Sequence, residues 1–183
     1  MSHASRAAEL ARNLLEVPLP RRWAHVQGVA ARARSIAPIL GGDADLLEAA
    51  AWLHDIGYSP ELVDTGFHPL DGARYLRDVE HADSKLGRLV ANHSCAILEA
   101  DERGLAAVLS SEFPSPDPKL NDALAYCDMT TTPTGEAVCV HARLSEITKR
   151  YGPHDVVTRF IRRAEAELVS SVARTDERLL LAR

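Results

Sequence analysis

Apolar residues recur at helical spacing along almost the whole chain, and this pattern constrains the fold more than any other feature. In residues 21–40, for example, Val26, Val29, Ala30 and Ala33 would share one face of a helix. The sustained alternation that half-buried strands require is absent outside a few short stretches. The sequence therefore predicts an all-α fold, a helical bundle of about seven to nine helices.

The length and composition predict a single domain. The chain has 183 residues, of which 46% are apolar, and no stretch rich in Pro, Gly or Ser separates two apolar halves. We therefore expect residues 1–183 to form one domain with a sizeable core. A long terminal helix, residues 154–175, has an apolar stripe that should pack on the rest of the molecule.

The charge and the cysteine content restrict the classes of binding partner and the cellular compartment that we expect. The formal net charge is -5 and no block of Lys or Arg occurs, so we expect no nucleic-acid partner. The N-terminal segment has no continuous apolar core, which predicts neither a signal peptide nor a membrane span. The three cysteines form no CxxC pair and are typical of reduced thiols. The expected location is the cytoplasm, without membrane association.

One apolar segment carries an ionisable pair at its centre. The stretch AAAWLHDIGYSP, residues 49–60, places His54 and Asp55 side by side where a buried helix is expected. Burying such a pair costs on the order of several kcal/mol unless a partner charge or a metal ion compensates for the lost hydration. Another part of the chain should therefore supply that compensation.

Four further ionisable residues also lean toward the predicted core. His25 precedes Val29 by one helical turn, and His93 follows Val90 by three positions. His68 stands before Pro69 at the start of a short helix, and Asp128 follows Leu124 by four positions. Together with the central pair they form a set of metal-ligand type: His25, His54, Asp55, His68, His93 and Asp128. Because six ligands exceed the need of one ion with an open position, we expect two ions with one carboxylate bridging them.

The order of these residues resembles the HD superfamily of metal-dependent phosphohydrolases. LHDIG at residues 53–57 matches the central motif of that superfamily, and the similarity in layout spans residues 21–150. The resemblance implies an HD-type helical bundle with this core, and a first ion held by His25, His54, Asp55 and Asp128. His68 and His93 match two extra histidines of the binuclear branches, in which Asp55 would bridge the ions.

These binuclear branches include diadenosine-tetraphosphate hydrolases, cyclic-dinucleotide phosphodiesterases of the HD-GYP type and di-iron oxygenases. The chain lacks the GYP motif, so the short nucleotide hydrolases are the nearest fit. By resemblance we favour iron or manganese as the two divalent ions. Zinc and nickel also suit imidazole-rich coordination.

The chain departs from the superfamily at Tyr58, where many members have a lysine that contacts substrate phosphate. A phenol donates a hydrogen bond but carries no fixed positive charge. We therefore name Tyr58 as a substrate-binding candidate, together with three cations on the helix after the last ligand, Arg143, Lys149 and Arg150. The alternative for these three is an ordinary solvated helix face.

Three functions are compatible with these residues. The leading hypothesis is hydrolysis of a phosphate ester or anhydride, with a nucleotide favoured, by a metal-activated water and with Asp55 and His54 as catalytic residues. The second is a di-iron oxygenase acting on a phosphonate or polyol, and the third is a regulatory or binding module stabilised by metal. Under the leading hypothesis the partner is a small phosphorylated substrate. The terminal LLLAR segment is compatible with packing on the domain or with a contact in a homodimer.

Overall fold

The computed structural model describes residues 2–182, and within them the chain is built from α-helices. The ten α-helices of this part are α1 (His3–Leu15), α2 (Pro20–Ser35), α3 (Ala44–Leu53), α4 (His68–Asp78), α5 (Ser84–Asn92), α6 (Ala96–Glu102), α7 (Ala106–Glu112), α8 (Pro118–Met129), α9 (Val140–Tyr151) and α10 (Val156–Leu181). The β-structure in residues 2–182 is an isolated antiparallel bridge between Thr131 and Ala137. The predicted all-α class is confirmed, with a helix count close to the expected one.

Two helix boundaries differ from the sequence prediction. α2 ends at Ser35 rather than near residue 40, and a short 3-10 turn, Ala37–Ile39, follows. Pro38 in that turn has no N–H for the helical ladder, so the α-helix cannot continue through it. α10 begins at Val156, where Asp155 accepts a hydrogen bond from the Val157 N–H at 2.8 Å. It extends to Leu181, beyond the predicted end near residue 175.

Within residues 2–182, no helix is both long and apolar enough to cross a membrane.

α3 lies at the centre of the bundle. It packs against α1, α2, α5 and α8, and the alanines at positions 49–51 are fully buried. Their small side chains let the neighbouring helices approach α3 closely. The His54–Asp55 pair directly follows the C-terminal end of α3 and lies beside residues of α2, α4 and α8.

A buried carboxylate joins α8 to α10. Asp122 accepts hydrogen bonds from Arg174 Nε at 2.9 Å, Arg174 Nη2 at 2.6 Å and Arg178 Nη2 at 3.1 Å. These contacts fix the long terminal helix on the helix that carries Asp128. They add a polar link to the apolar stripe of α10.

Asp122→Ala is expected to lower the free energy of unfolding by about 1–2 kcal/mol, because two guanidinium groups lose their shared acceptor. Both arginines remain partly exposed and can turn to water, which limits the loss. Urea denaturation would measure it. Glu165→Ala, on the exposed face of α10, serves as the control and should change stability by less than about 0.5 kcal/mol. Equal stability of the two variants would contradict the prediction.

Candidate metal centre

The six candidate ligands come from separate elements and converge on one region. His25 lies in α2, His54 follows the last residue of α3, and Asp55 precedes the 3-10 turn Ile56–Tyr58. The remaining three are His68 at the start of α4, His93 directly after α5 and Asp128 in α8. All six are buried or nearly so. The structure thus brings together every residue that the sequence analysis named as a metal ligand.

The ligand atoms form two groups, each small enough to surround one ion. His25, His54 and Asp128 make the first group, and Asp55, His68 and His93 make the second. Within each group the ligand atoms lie within 4.8 Å of one another. We call them the first triad and the second triad.

Asp55 belongs to the second triad and also faces the first. Its Oδ2 lies 3.5 Å from His54 Nε2 and 3.8 Å from His25 Nε2, while its Oδ1 lies 3.3 Å from His68 Nε2. One carboxylate oxygen is therefore directed at each triad. This is the arrangement that a carboxylate shared by two ions requires.

Backbone carbonyls set the orientation of three imidazole rings. The Nδ1–H groups of His25, His54 and His93 donate to the carbonyls of Thr132, Ala51 and Val90 at 2.9, 2.8 and 2.7 Å. Because a carbonyl only accepts, each ring must be protonated on Nδ1 and presents the lone pair of Nε2. Such contacts fix the tautomer in which histidine binds a metal.

The residues present fit a divalent cation. His54 Nε2 is fully buried and has no hydrogen-bond partner among residues 2–182. A buried acceptor without a partner is unfavourable, and an ion between the first-triad residues would satisfy it. Imidazole nitrogen and carboxylate oxygen suit iron, zinc, nickel and manganese. The number of ions and their identity stay predictions.

The protonation states also suit metal binding. Burial lowers the pKa of His68 to about 4 and also lowers the pKa of His93. Burial acts to raise the pKa of Asp55, but the guanidinium of Arg22 and the neighbouring His54 and His68 hold it well below its usual range. Burial also acts to raise the pKa of Asp128, but the neighbouring His25, His54 and Arg143 hold it below its usual range. Neutral imidazoles and ionised carboxylates are the forms that bind cations.

The metal-free protein is expected to lose stability as the pH falls from about 6.5 to about 4. The pKa of His68 is 6.5 in its ordinary state and about 4 when folded, so in this window the unfolded chain binds more protons. Unfolding therefore becomes more favourable as the pH decreases. Urea denaturation in the presence of a chelator, at several pH values, should show a steeper loss for the wild type than for His68→Gln. Parallel curves would contradict this assignment.

Two residues that contact the ligands were not identified from the sequence. The first is Arg22, whose Nη1 donates to Asp55 Oδ2 at 2.6 Å. Its position three residues before His25, on the same helix face, was the available signal. Ser94 donates to Asp128 Oδ2 at 2.5 Å. Ser94 reaches Asp128 because it and Cys95 adopt positive φ angles of 48° and 62°. Glycine or asparagine usually occupies such positions, so the sequence gives no signal for this bend or for the role of Ser94.

A cavity of about 80 Å³ opens onto both triads. Tyr58, Arg143 and Arg150 line it, as do Asp55, His68, His93 and Asp128. Tyr58 stacks on the His68 ring at 3.9 Å between centroids, and the Arg22 guanidinium lies 4.0 Å from the centre of the Tyr58 ring. Tyr58 is therefore held between a candidate ligand and a cation.

Lys149 does not join the other substrate-binding candidates. It is exposed and does not line the cavity, so the structure separates it from Arg143 and Arg150. Arg143 and Arg150 are seven positions apart and share one face of α9, whereas Lys149 is one position, or about 100°, away from Arg150. The helical period thus directs Lys149 to solvent.

Comparison with known proteins agrees with this geometry. The family model described as HD domain matches residues 22–131, which include all six candidate ligands. No curated protein and no solved structure showed a significant match to the chain. Because the matched segment covers more than half of the chain, the protein belongs to the HD domain family.

Proposed function

We propose that this protein is a metal-dependent phosphohydrolase that cleaves a phosphate ester or anhydride by means of a metal-activated water. The observation that carries the proposal is Asp55, whose two carboxylate oxygens face two separate ligand triads. Membership of the HD domain family, whose members are generally hydrolases, supports the same reaction class.

The residues around the cavity have distinct roles in this proposal. Two divalent ions, when bound, would lower the pKa of a water and neutralise charge on the departing oxygen. Arg22 and Ser94 hold Asp55 and Asp128 through their hydrogen bonds, so the carboxylates keep their orientation. His54, a member of the first triad, is fully buried and excludes bulk water from the side of the site that it covers. No side-chain nucleophile is required.

The test combines metal analysis with a substrate panel. Purified protein should contain about two transition ions per chain, and the panel should include mononucleotides, dinucleoside polyphosphates, simple phosphomonoesters and phosphonates. Release of orthophosphate or of a nucleotide product is the expected result. Protein with full metal content and no hydrolysis of any phosphate compound would exclude the proposal. The nucleotide preference, the homodimer and the cytoplasmic location remain predictions.

A di-iron oxygenase acting on a phosphonate or polyol is the second candidate. It is favoured by one observation: no lysine lines the cavity in the part of the chain that the structure describes, and a tyrosine occupies position 58. Turnover under strict anaerobic conditions separates the two. Unchanged hydrolysis without oxygen supports the phosphohydrolase, while oxygen-dependent product formation supports the oxygenase.

A further inference from the structure

The part of the chain beyond the family match closes one side of the cavity. α9 and α10 follow residue 131 and contribute two arginines and an apolar wall to the same cavity that the two triads face. The wall consists of Ile147, Val157, Phe160 and Ile161. Residues 22–131 therefore supply the candidate metal ligands, and α9 and α10 supply much of the remaining surface that a substrate would meet.

Arg143 is the cation of α9 that lies deepest in this surface. Only 5% of the residue is exposed, and its charge acts on the Asp128 carboxylate of the first triad. Its Nη1 donates to Glu146, but its Nε is buried and has no hydrogen-bond partner among residues 2–182. A buried N–H of a charged group without an acceptor is unfavourable, so this donor is suited to an anionic ligand.

The other two arginines of the cavity are less available. Arg22 already donates to Asp55 at 2.6 Å and lies over the Tyr58 ring. Arg150 is exposed and lies 3.6 Å from Glu146. Arg143 is thus the buried guanidinium in this cavity with a donor still free, near the carboxylates and imidazoles that could hold the ions.

We propose that Arg143 binds the phosphoryl group of the substrate and that the wall of α9 and α10 selects a small phosphomonoester with an apolar organic group. This inference rests on the proposed phosphohydrolase function. Arg143 takes the place of the cation that position 58 lacks. Ile147, four positions after Arg143 and on the same face of α9, then contacts the organic group beside the phosphate. A cavity of about 80 Å³ is far below the roughly 300–1,000 Å³ of sites that enclose drug-sized ligands.

The first experiment measures binding of inorganic orthophosphate by titration calorimetry, with metal-loaded protein and no turnover. Arg143→Gln should weaken orthophosphate binding by about 10- to 100-fold, the effect of losing a hydrogen bond to a charged group. Arg143→Lys should restore part of it, because lysine keeps the charge but not the planar fork. Arg162→Gln, the same change at an exposed position of α10, is the control and should bind as the wild type does.

The outcomes separate this inference from the proposed function. Wild-type affinity in Arg143→Gln with unchanged metal content, or no orthophosphate binding by the wild type, would overturn the role of Arg143 whatever the activity. An absence of hydrolysis in the substrate panel would overturn the proposed function but leave the binding result interpretable. Circular dichroism and metal analysis of Arg143→Gln would verify that the variant is folded and loaded.

The second experiment tests the apolar wall. Ile147→Ala enlarges the cavity beside Arg143, so kcat/KM for bulkier apolar phosphomonoesters should rise relative to that for the smallest one by about 10-fold. The comparison within one variant cancels any loss of folded or loaded protein. An unchanged ratio would overturn the selection by size, while the orthophosphate titration continues to decide the role of Arg143.

Discussion

Asp55→Ala protein is expected to bind neither ion and to lose its activity. Asp55 is the one candidate ligand whose oxygens face both triads, at 3.5 Å from His54 Nε2 and 3.3 Å from His68 Nε2. Removing it deprives both sites of a charged ligand, whereas His93→Ala should empty mainly the second site. Because metal activation contributes several kcal/mol to such reactions, activity should fall by about 1,000-fold or more.

Metal analysis and hydrolysis assays on the same preparations would measure both effects. Asp55→Asn keeps the size of the side chain and an acceptor for Arg22, so it distinguishes loss of the negative charge from disruption of the local structure. Asp64→Ala, at a position that is 78% exposed, is the control for removal of an aspartate and should keep both ions. Retention of two ions or of full activity by Asp55→Ala would contradict the proposed metal centre.

Gly57→Ala is expected to destabilise the fold and to disrupt the second triad. Gly57 lies in the 3-10 turn directly after the His54–Asp55 pair, and this turn packs on α4. A Cβ atom at Gly57 would lie 2.0 Å from the backbone oxygen of His68, so the turn and α4 must separate by about 1 Å or more. We expect the free energy of unfolding to fall by about 3 kcal/mol.

The same separation would move His68 away from Asp55, and metal content should therefore decrease together with stability. Urea denaturation and metal analysis would test the two effects. Gly42→Ala is the matched control, because a Cβ atom there meets nothing within 4 Å and the residue is exposed. Its stability should be unchanged or higher by about a few tenths of a kcal/mol. If Gly57→Ala matched Gly42→Ala in both measurements, the close approach would have no structural importance.

The helical architecture was predictable because the apolar period is a local property. The segment carrying Leu120, Leu124 and Cys127 has the same pattern in the sequence as in α8 of the structure. The candidate ligands were recognisable for the same reason, since each ionisable residue stands at a spacing that directs it into the core. His93, for example, follows Leu89 and Val90 by four and three positions.

Contacts that depend on two distant segments were not predictable in this way. The link between Ser94 and Asp128 joins residues 34 positions apart, and the link between Arg22 and Asp55 joins residues 33 positions apart. Lys149 and Arg150 are adjacent in the sequence and chemically similar, yet only Arg150 lines the cavity. The end of α2 was also misplaced, since the apolar pattern continues through Pro38 where the backbone cannot remain α-helical.

For this protein, the sequence by itself determined the helices, their buried faces and the ionisable residues that those faces carry. Periodicity and residue chemistry act over a few residues, so both can be read along one chain. Only the tertiary structure decided that Asp55 faces two triads, that Arg22 and Ser94 hold the carboxylates and that α9 and α10 close the cavity with a buried Arg143. These relations depend on the distances between helices, which result from the packing of the whole core.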